Sequence, residues 1–224
     1  MTTPHFIRSL IPRAIRRYVR ERNVLNAPPK LSREEAQGYW TAPPDEKNFP
    51  DRYAYGDTKR SDELVRFADR LVSKEAAILE IGCNAVRNLN HLHRSGFTNL
   101  SAIEISPAAV AFFAKAFPEA AKAADVKVGS FEDILPTYPD RRFDLLFSMA
   151  VMMHIHPAST FLFSHMVRVS RIVLAIEDER ESTSTRHFGR NYRDVFEPLG
   201  TKQILELPVA GFPNAVARAF ACPD

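Results

Sequence analysis

Residues able to bind a ligand or move a proton stand where short apolar runs of the chain end. They are Glu80 and Gly82, Glu104, His154 and His156, and Glu177. A glycine turn that opens a helix presents backbone N–H groups to a nucleotide, and a carboxylate after the next strand accepts ribose hydroxyls. Histidine titrates near neutral pH, so His154 and His156 are candidate bases, and Glu177 is a candidate for holding substrate hydroxyls or taking a proton.

Strands and helices alternate in the pattern that brings these residues to one edge of a sheet. The apolar runs predict strands at 77–81, 99–105, 126–129, 143–149, 171–176, 201–207 and 215–221. Helices are expected from Ser61 onwards and over 86–95, 107–117, 157–169 and 191–199. The last two strands have no helix between them and must form a hairpin, because the connection is too short for a parallel crossover. The prediction is an α/β doubly wound sheet of seven strands with an antiparallel terminal hairpin strand.

The turn after the first strand resembles the first motif of class I S-adenosylmethionine-dependent methyltransferases. That motif runs acidic-x-Gly-x-Gly-x-Gly, and here it reads Glu80-x-Gly82-x-Asn84-x-Val86. The resemblance covers about residues 61–221 and includes Glu104, the acidic loop 129–133 and the closing hairpin. It implies a Rossmann-like methyltransferase fold, S-adenosylmethionine as cofactor and methyl transfer as the activity.

Site residues follow from the resemblance position by position. The implied cofactor-binding residues are Glu80, Gly82, Cys83, Asn84, Glu104, Ile105, Ser130, Phe131, Glu132 and Ser148. Glu104 would hold the ribose, and one of the residues 130–132 would meet the adenine. The candidate catalytic residues are His154, His156 and Glu177, and no metal site is predicted.

Asn84 and Val86 depart from the motif, and they keep an alternative function open. Asparagine tolerates a left-handed backbone, whereas a β-branched valine does so only at a cost. If the site needs a bare backbone there, the chain is a catalytically impaired protein that keeps the fold as a scaffold or regulator. A nicotinamide-dependent oxidoreductase is the remote alternative, since its glycine fingerprint would need glycines at Asn84 and Arg87.

The expected acceptor is a small molecule or a glycan that is methylated on oxygen or nitrogen. The acids of 177–179 and the stretch 186–192 resemble bacterial methyltransferases of polysaccharide or secondary metabolism. Arg186, Arg190 and Tyr192 predict a cationic rim suited to an anionic or phosphate-bearing acceptor. The alternative is ordinary surface charge.

Positive charge is concentrated in the first 30 residues. They hold seven Lys/Arg and one Glu, a net +6, whereas the remaining 23 Lys/Arg and 26 Asp/Glu give −3. The mildly acidic remainder argues against a nucleic-acid-binding core. Residues 5–25 predict a basic amphipathic helix that packs on the domain or lies on an anionic membrane surface, with nucleic acid a weaker alternative.

Two segments are therefore predicted, a basic and aromatic-rich cover over 1–60 and the cofactor-binding domain over 61–224. The cover segment 26–57 carries proline and aromatic residues and is expected to pack over the site. Two cysteines cannot form a disulfide framework, no apolar run approaches the roughly 20 residues of a bilayer span, and arginines interrupt any signal-peptide pattern. A cytoplasmic protein is expected, with membrane association at the cytoplasmic face as an option.

Overall fold

The computed structural model describes residues 27–55, 58–180, 182 and 184–223. The predicted basic helix over 5–25 lies outside the described residues. Seven strands form one sheet; they are β1 Ala77–Ile81, β2 Asn99–Glu104, β3 Ala124–Val128, β4 Phe143–Met149, β5 Ser170–Asp178, β6 Lys202–Pro208 and β7 Ala215–Ala221. Nine α-helices are seen in the described part; they are α1 Arg33–Thr41, α2 Pro50–Ala54, α3 Lys59–Leu71, α4 Arg87–Arg94, α5 Pro107–Ala116, α6 Pro118–Ala123, α7 Phe131–Ile134, α8 Leu162–Val169 and α9 Tyr192–Phe196.

The sheet has the strand order β3-β2-β1-β4-β5-β7-β6. The pairs among β1 to β5 are parallel, whereas β7 runs antiparallel to both β5 and β6. The predicted doubly wound sheet with a closing hairpin is confirmed. Its order reverses between β1 and β4, which is the switch point where open α/β sheets bind ligands.

Apolar side chains fill the space on both faces of the sheet. Every residue of β1 is buried, as expected for a central parallel strand covered by helices. One core layer includes Leu64, Leu89 and Phe97, and the other includes Phe163 and Phe196. The strand ends are therefore held rigidly, and the loops at their carboxyl ends carry the polar residues.

Two local predictions need correction. The helix expected to start at Ser61 begins at Lys59, and Ser61 lies within it, where its buried hydroxyl donates to Asn88 Oδ1 at 2.8 Å. The segment before it contains α1, whose capping box joins Ser32 and Glu35. This capping box makes a short helix where the hydrophobic pattern alone predicts none.

Candidate functional site

A cavity of about 390 Å³ opens at the carboxyl ends of β1, β2 and β4. Its volume lies in the range of about 300–1,000 Å³ that small-molecule sites occupy. The loops after these strands form one wall, and the cover segment supplies the opposite wall through residues that include Arg33, Trp40 and Tyr53. Two parts of the chain that are distant in sequence therefore form the opposite walls of the cavity.

Gly82 makes the first turn of this cavity possible. Its φ is +69°, and a Cβ there would lie 2.5 Å from Val151 Cγ1. Its N–H donates to the Ile103 carbonyl oxygen at 2.9 Å, which ties the turn to β2. Only glycine combines this backbone conformation with the close approach of Val151.

Asn84 and Val86 both adopt the left-handed conformation, with φ of 46° and 56°. The valine is therefore the backbone outlier that its β-branched side chain predicts. Its side chain is fully buried in the core layer that contains Leu89 and Leu92, and it is not part of the cavity wall. Val86 does not narrow the cavity, which removes the main argument for an impaired site.

Glu104 stands at the end of β2 in the cavity wall, with only 5% of its surface exposed. Its Oε2 accepts the Asn84 N–H at 2.7 Å, and its Oε1 accepts the Ser106 N–H at 2.9 Å. Burial raises the pKa of this carboxyl, and the backbone N–H donors oppose that rise. A carboxylate has about four acceptor positions, so about two remain for hydroxyl donors of a ligand.

The loop after β3 divides the predicted adenine contacts. Phe131 and Glu132 line the cavity, and Glu132 Oε1 accepts the Ser159 hydroxyl at 2.8 Å. Ser130 does not line it; its hydroxyl instead caps α7 by accepting the Asp133 N–H at 3.2 Å. Ile105 lies in the wall beside Glu104, so an apolar side chain from each of two loops faces a ligand there.

The first motif contributes unequally to the cavity. Cys83 and Asn84 line it, with Cys83 a buried free thiol. Glu80 lies beneath them and does not line it; its Oε1 accepts Asn88 Nδ2 at 2.7 Å, and its Oε2 has no partner among the described residues. Burial raises the pKa of Glu80 to about 8, so this carboxyl is protonated at neutral pH. Its position assigns it to support of the turn.

Glu177 is buried behind the loop that carries His154, and it does not line the cavity. Its oxygens accept the Ser148 hydroxyl at 2.5 Å and the backbone N–H groups of residues 151, 152 and 153 at 3.1–3.3 Å. Burial raises its pKa to about 7 against the lowering effect of these donors. Glu177 and Ser148, predicted to act on ligands, instead hold the 3-10 turn Met152–His154 in place.

His154 faces the cavity from this turn. Its Nδ1 lies 2.6 Å from the Arg186 carbonyl oxygen, and its ring centroid lies 4.8 Å from that of Trp40. Burial lowers the pKa of His154 to about 4. Because a carbonyl oxygen only accepts, Nδ1 carries the hydrogen of the neutral ring, and Nε2 keeps a free lone pair. This is the tautomer that a general base needs.

His156 also lines the cavity, but its Nδ1 already accepts the Ala158 N–H at 3.0 Å. This contact caps the 3-10 turn Pro157–Ser159. The ring packs edge-on against Phe188 at 5.2 Å between centroids. Of the two histidines, His154 is the one whose fixed tautomer leaves an acceptor nitrogen.

The predicted cationic rim is reduced to Arg186. Arg190 donates to the carbonyl oxygens of Met152, Phe188 and Ile155 at 3.3, 3.2 and 2.5 Å, and Tyr192 is buried. Arg186 lines the cavity and stacks on the Tyr39 ring, with its Cζ 3.8 Å from the ring centroid. Sequence reasoning missed that Trp40 lines the cavity and that Tyr39 packs against Arg186, since only the fold brings the cover to the sheet edge.

Charged groups elsewhere in the described residues do not gather into a metal site. No group of three His, Cys, Asp or Glu side chains there is placed to hold a metal ion. Among the residues that the structure describes, no helix is long and apolar enough to cross a membrane.

A sheet of this strand order, with a glycine turn and a carboxylate that can accept ribose hydroxyls at its switch point, is typical of α/β proteins that bind nucleotide cofactors. Residues 79–172 match the family model of the methyltransferase domain. A search of curated protein sequences finds no match. The matched stretch runs from β1 into β5 and contains Gly82, Glu104 and His154, so the part of the chain that is similar to a methyltransferase domain is the part that supplies these cavity residues.

Solved structures with the same fold include enzymes of different substrates. The magnesium protoporphyrin IX methyltransferase of Synechocystis, with bound S-adenosylhomocysteine, is 12% identical at a TM-score of 0.66, over 85% of this chain and 100% of that one. A geranyl diphosphate C-methyltransferase of Streptomyces coelicolor is 11% identical, with a TM-score of 0.63 over 85% of this chain and 97% of that one. A TehB-like methyltransferase of Corynebacterium glutamicum is 18% identical, with a TM-score of 0.58 over 77% of this chain and 92% of that one. At these identities the likeness concerns the fold.

Proposed function

We propose that the chain transfers a methyl group from S-adenosylmethionine to a hydroxyl, or a neutral amine, of a small-molecule or glycan acceptor. The carrying observation is that the Glu104 carboxyl and the neutral His154 imidazole line the same cavity. The first suits a nucleoside and the second suits an acceptor that must lose a proton. Both groups are held by backbone contacts that fix their geometry.

The residues of the cavity fit this cofactor by their chemistry. Glu104 would accept ribose hydroxyls, Ile105 and Phe131 would flank the adenine, and the turn at Gly82 would face the methionine part. Bound S-adenosylmethionine supplies an electrophilic methyl carbon and a thioether leaving group, so the protein has mainly to align the acceptor.

As the oxygen of the acceptor hydroxyl bonds to the methyl carbon and the carbon–sulfur bond breaks, His154 would receive the proton of that hydroxyl. Burial lowers the pKa of the imidazole to about 4, so His154 is unprotonated at neutral pH and its Nε2 can accept a proton. The cover side chains Trp40 and Tyr53 would exclude water from the reacting atoms. Glu177 would act only indirectly, by fixing the turn that presents His154.

Calorimetric titration of the full chain with S-adenosylmethionine and S-adenosylhomocysteine tests the cofactor part. Glu104→Ala should weaken binding by about 1–3 kcal/mol, or about 5- to 150-fold, the scale for losing hydrogen bonds to a charged group. Glu119→Ala is the matched control, because Glu119 is an exposed carboxylate paired only with Lys122. No heat with either ligand at millimolar concentration would favour the scaffold alternative, and an unchanged affinity in Glu104→Ala would show that the ribose lies elsewhere.

The proposal also includes a cytoplasmic location and a peripheral contact of residues 5–25 with anionic membranes, supported by their basic amphipathic pattern. The full chain should co-sediment with vesicles containing phosphatidylserine and stay in solution with neutral vesicles. Equal behaviour with both would rule the contact out.

A further inference from the structure

We propose that the acceptor carries an oxyanion, a carboxylate or a phosphate, which binds Arg186 and Trp40 next to His154. This rests on the proposed function, because it concerns the acceptor end of the same cavity. Three residues meet there. The Arg186 Cζ lies 5.7 Å from the Trp40 ring centroid, the Trp40 ring lies 4.8 Å from the His154 ring, and the Arg186 carbonyl fixes the His154 tautomer.

Arg186 has a charge that no described carboxylate neutralises. Its guanidinium stacks on Tyr39 and makes no ion pair within 4.0 Å of an acid in the described part of the chain, and its Nε is buried without a partner. The acid that influences it, Asp45, accepts the Tyr39 hydroxyl at 2.6 Å and is about half exposed. Stacking on an aromatic face fixes the plane of the guanidinium and leaves its edge for a bidentate anion.

Other arginines of the cavity wall differ in this respect. Arg33 pairs with Glu34 at 2.8 Å. Arg60 donates to the Gly211 carbonyl oxygen at 2.8 Å and lies over the Phe212 ring. Arg87 donates to the Ser61 hydroxyl at 3.0 Å. Each has a protein acceptor for its donors, whereas the Arg186 guanidinium lies over the Tyr39 and Trp40 rings and its buried Nε has no acceptor among the described residues.

Trp40 supplies a second donor without a partner. Its Nε1 is buried and makes no hydrogen bond in the described structure. An unsatisfied buried donor is unfavourable, and two of them lie on Trp40 and Arg186, which both line the cavity. A group with several acceptor oxygens and a negative charge meets both demands, which a neutral sugar hydroxyl does not.

The fluorescence of the full chain reports on this site directly, because Trp40 is its only tryptophan. We would titrate benzoate, its neutral isostere benzamide, and inorganic phosphate, at constant ionic strength set with sodium chloride. Benzoate or phosphate should change the emission saturably, with at least tenfold weaker binding of benzamide. Comparing benzoate with phosphate then distinguishes a carboxylate acceptor from a phosphorylated one.

Variants connect the response to the guanidinium. Arg186→Met should weaken anion binding at least tenfold, and Arg186→Lys should retain part of it. Arg193→Met is the control, because Arg193 is an exposed arginine outside the cavity that pairs with Glu197 at 3.0 Å, and it should change anion binding less than threefold. Equal binding of benzamide and benzoate, no saturable response to either anion, or full anion binding in Arg186→Met would each overturn the proposal. If Arg186→Met does not fold by circular dichroism, the comparison of benzoate with benzamide on the unaltered chain still decides.

Calorimetry with S-adenosylhomocysteine on the same preparation separates this inference from the proposed function. Cofactor binding without an anion response overturns only the oxyanion site. An anion response without cofactor binding refutes the proposed methyl transfer and supports the oxyanion site.

Discussion

Lowering the pH should protonate His154 in the folded protein only near pH 4, well below the ordinary histidine value of about 6.5. Trp40 can report this event, because it is the only tryptophan of the chain and its ring lies 4.8 Å from the imidazole. A protonated imidazole quenches indole emission more strongly than a neutral one. Emission should therefore fall with a midpoint near pH 4.

The size of the effect follows from the pKa difference between the folded and unfolded chain. At about 1.36 kcal/mol per pKa unit, a drop from 6.5 to about 4 corresponds to about 3 kcal/mol in favour of neutral His154. Between these pH values the unfolded chain binds more protons than the folded one. The free energy of unfolding therefore falls by up to this amount as the pH drops from 6.5 to 4, and it is recovered above 6.5.

The assay compares the parent chain with His154→Gln and with the control His156→Gln in buffers from pH 3.5 to 8, a range that brackets both values. His154→Gln should lose the fluorescence transition and that part of the pH dependence of urea unfolding, whereas His156→Gln should keep both. Differences between variants are needed because Glu80 and Glu177 give the opposite slope. A transition near pH 6.5, or one that survives in His154→Gln, would refute the buried neutral base.

Three more perturbations test the parts that hold the site. Gly82→Ala should lower the free energy of unfolding by about 2–4 kcal/mol in urea, through the backbone strain and clash described above, whereas Gly38→Ala, in open space on α1, should raise it by up to about 1 kcal/mol. The raised pKa of the Glu177 carboxyl lowers the free energy of unfolding as the pH rises from 4.5 to 7, and Glu177→Gln should abolish this decrease. An unchanged dependence of the free energy of unfolding on pH, measured by urea titration, would contradict this. Lys30→Met removes an ammonium that donates to three carbonyl oxygens at 2.6–2.9 Å, so Trp40 emission should shift to the red as the cover loosens, and an unshifted spectrum would show that other contacts hold it.

The sheet could be predicted from the sequence because its strands are short apolar runs with clear ends. The bounds of the strands Ala77–Ile81, Phe143–Met149 and Ala215–Ala221 agree with the prediction to the residue. The bounds of other elements differ from the prediction. The helix expected over 157–169 splits into a 3-10 turn and α8, and a further helix begins at Pro118. These details depend on local capping and packing, which periodicity does not report.

Part of the site could also be predicted. Because β1 and β2 are adjacent parallel strands, the glycine turn after β1 and the acid at the end of β2 must lie at the same edge of the sheet. The structure places Gly82, Glu104 and His154 in one cavity wall. Sequence does not reveal which of several acids faces a ligand. Glu104 ends β2 and Glu177 lies one residue before the end of β5, yet four donors surround Glu177 behind the wall, whereas Glu104 accepts from two and faces the cavity.

The cover is the part that sequence reasoning could least define, and it bears most on acceptor choice. The Lys30 ammonium donates to the carbonyl oxygens of Ser182, Ser184 and His187, and Arg186 with its carbonyl lies between the last two. Because Trp40 and Arg186 come from these two joined segments, any shift of the cover moves the oxyanion donors and the His154 tautomer partner together. Acceptor binding and base alignment are therefore coupled mechanically, and a loosened cover should weaken anion binding and raise the pKa of His154 at the same time.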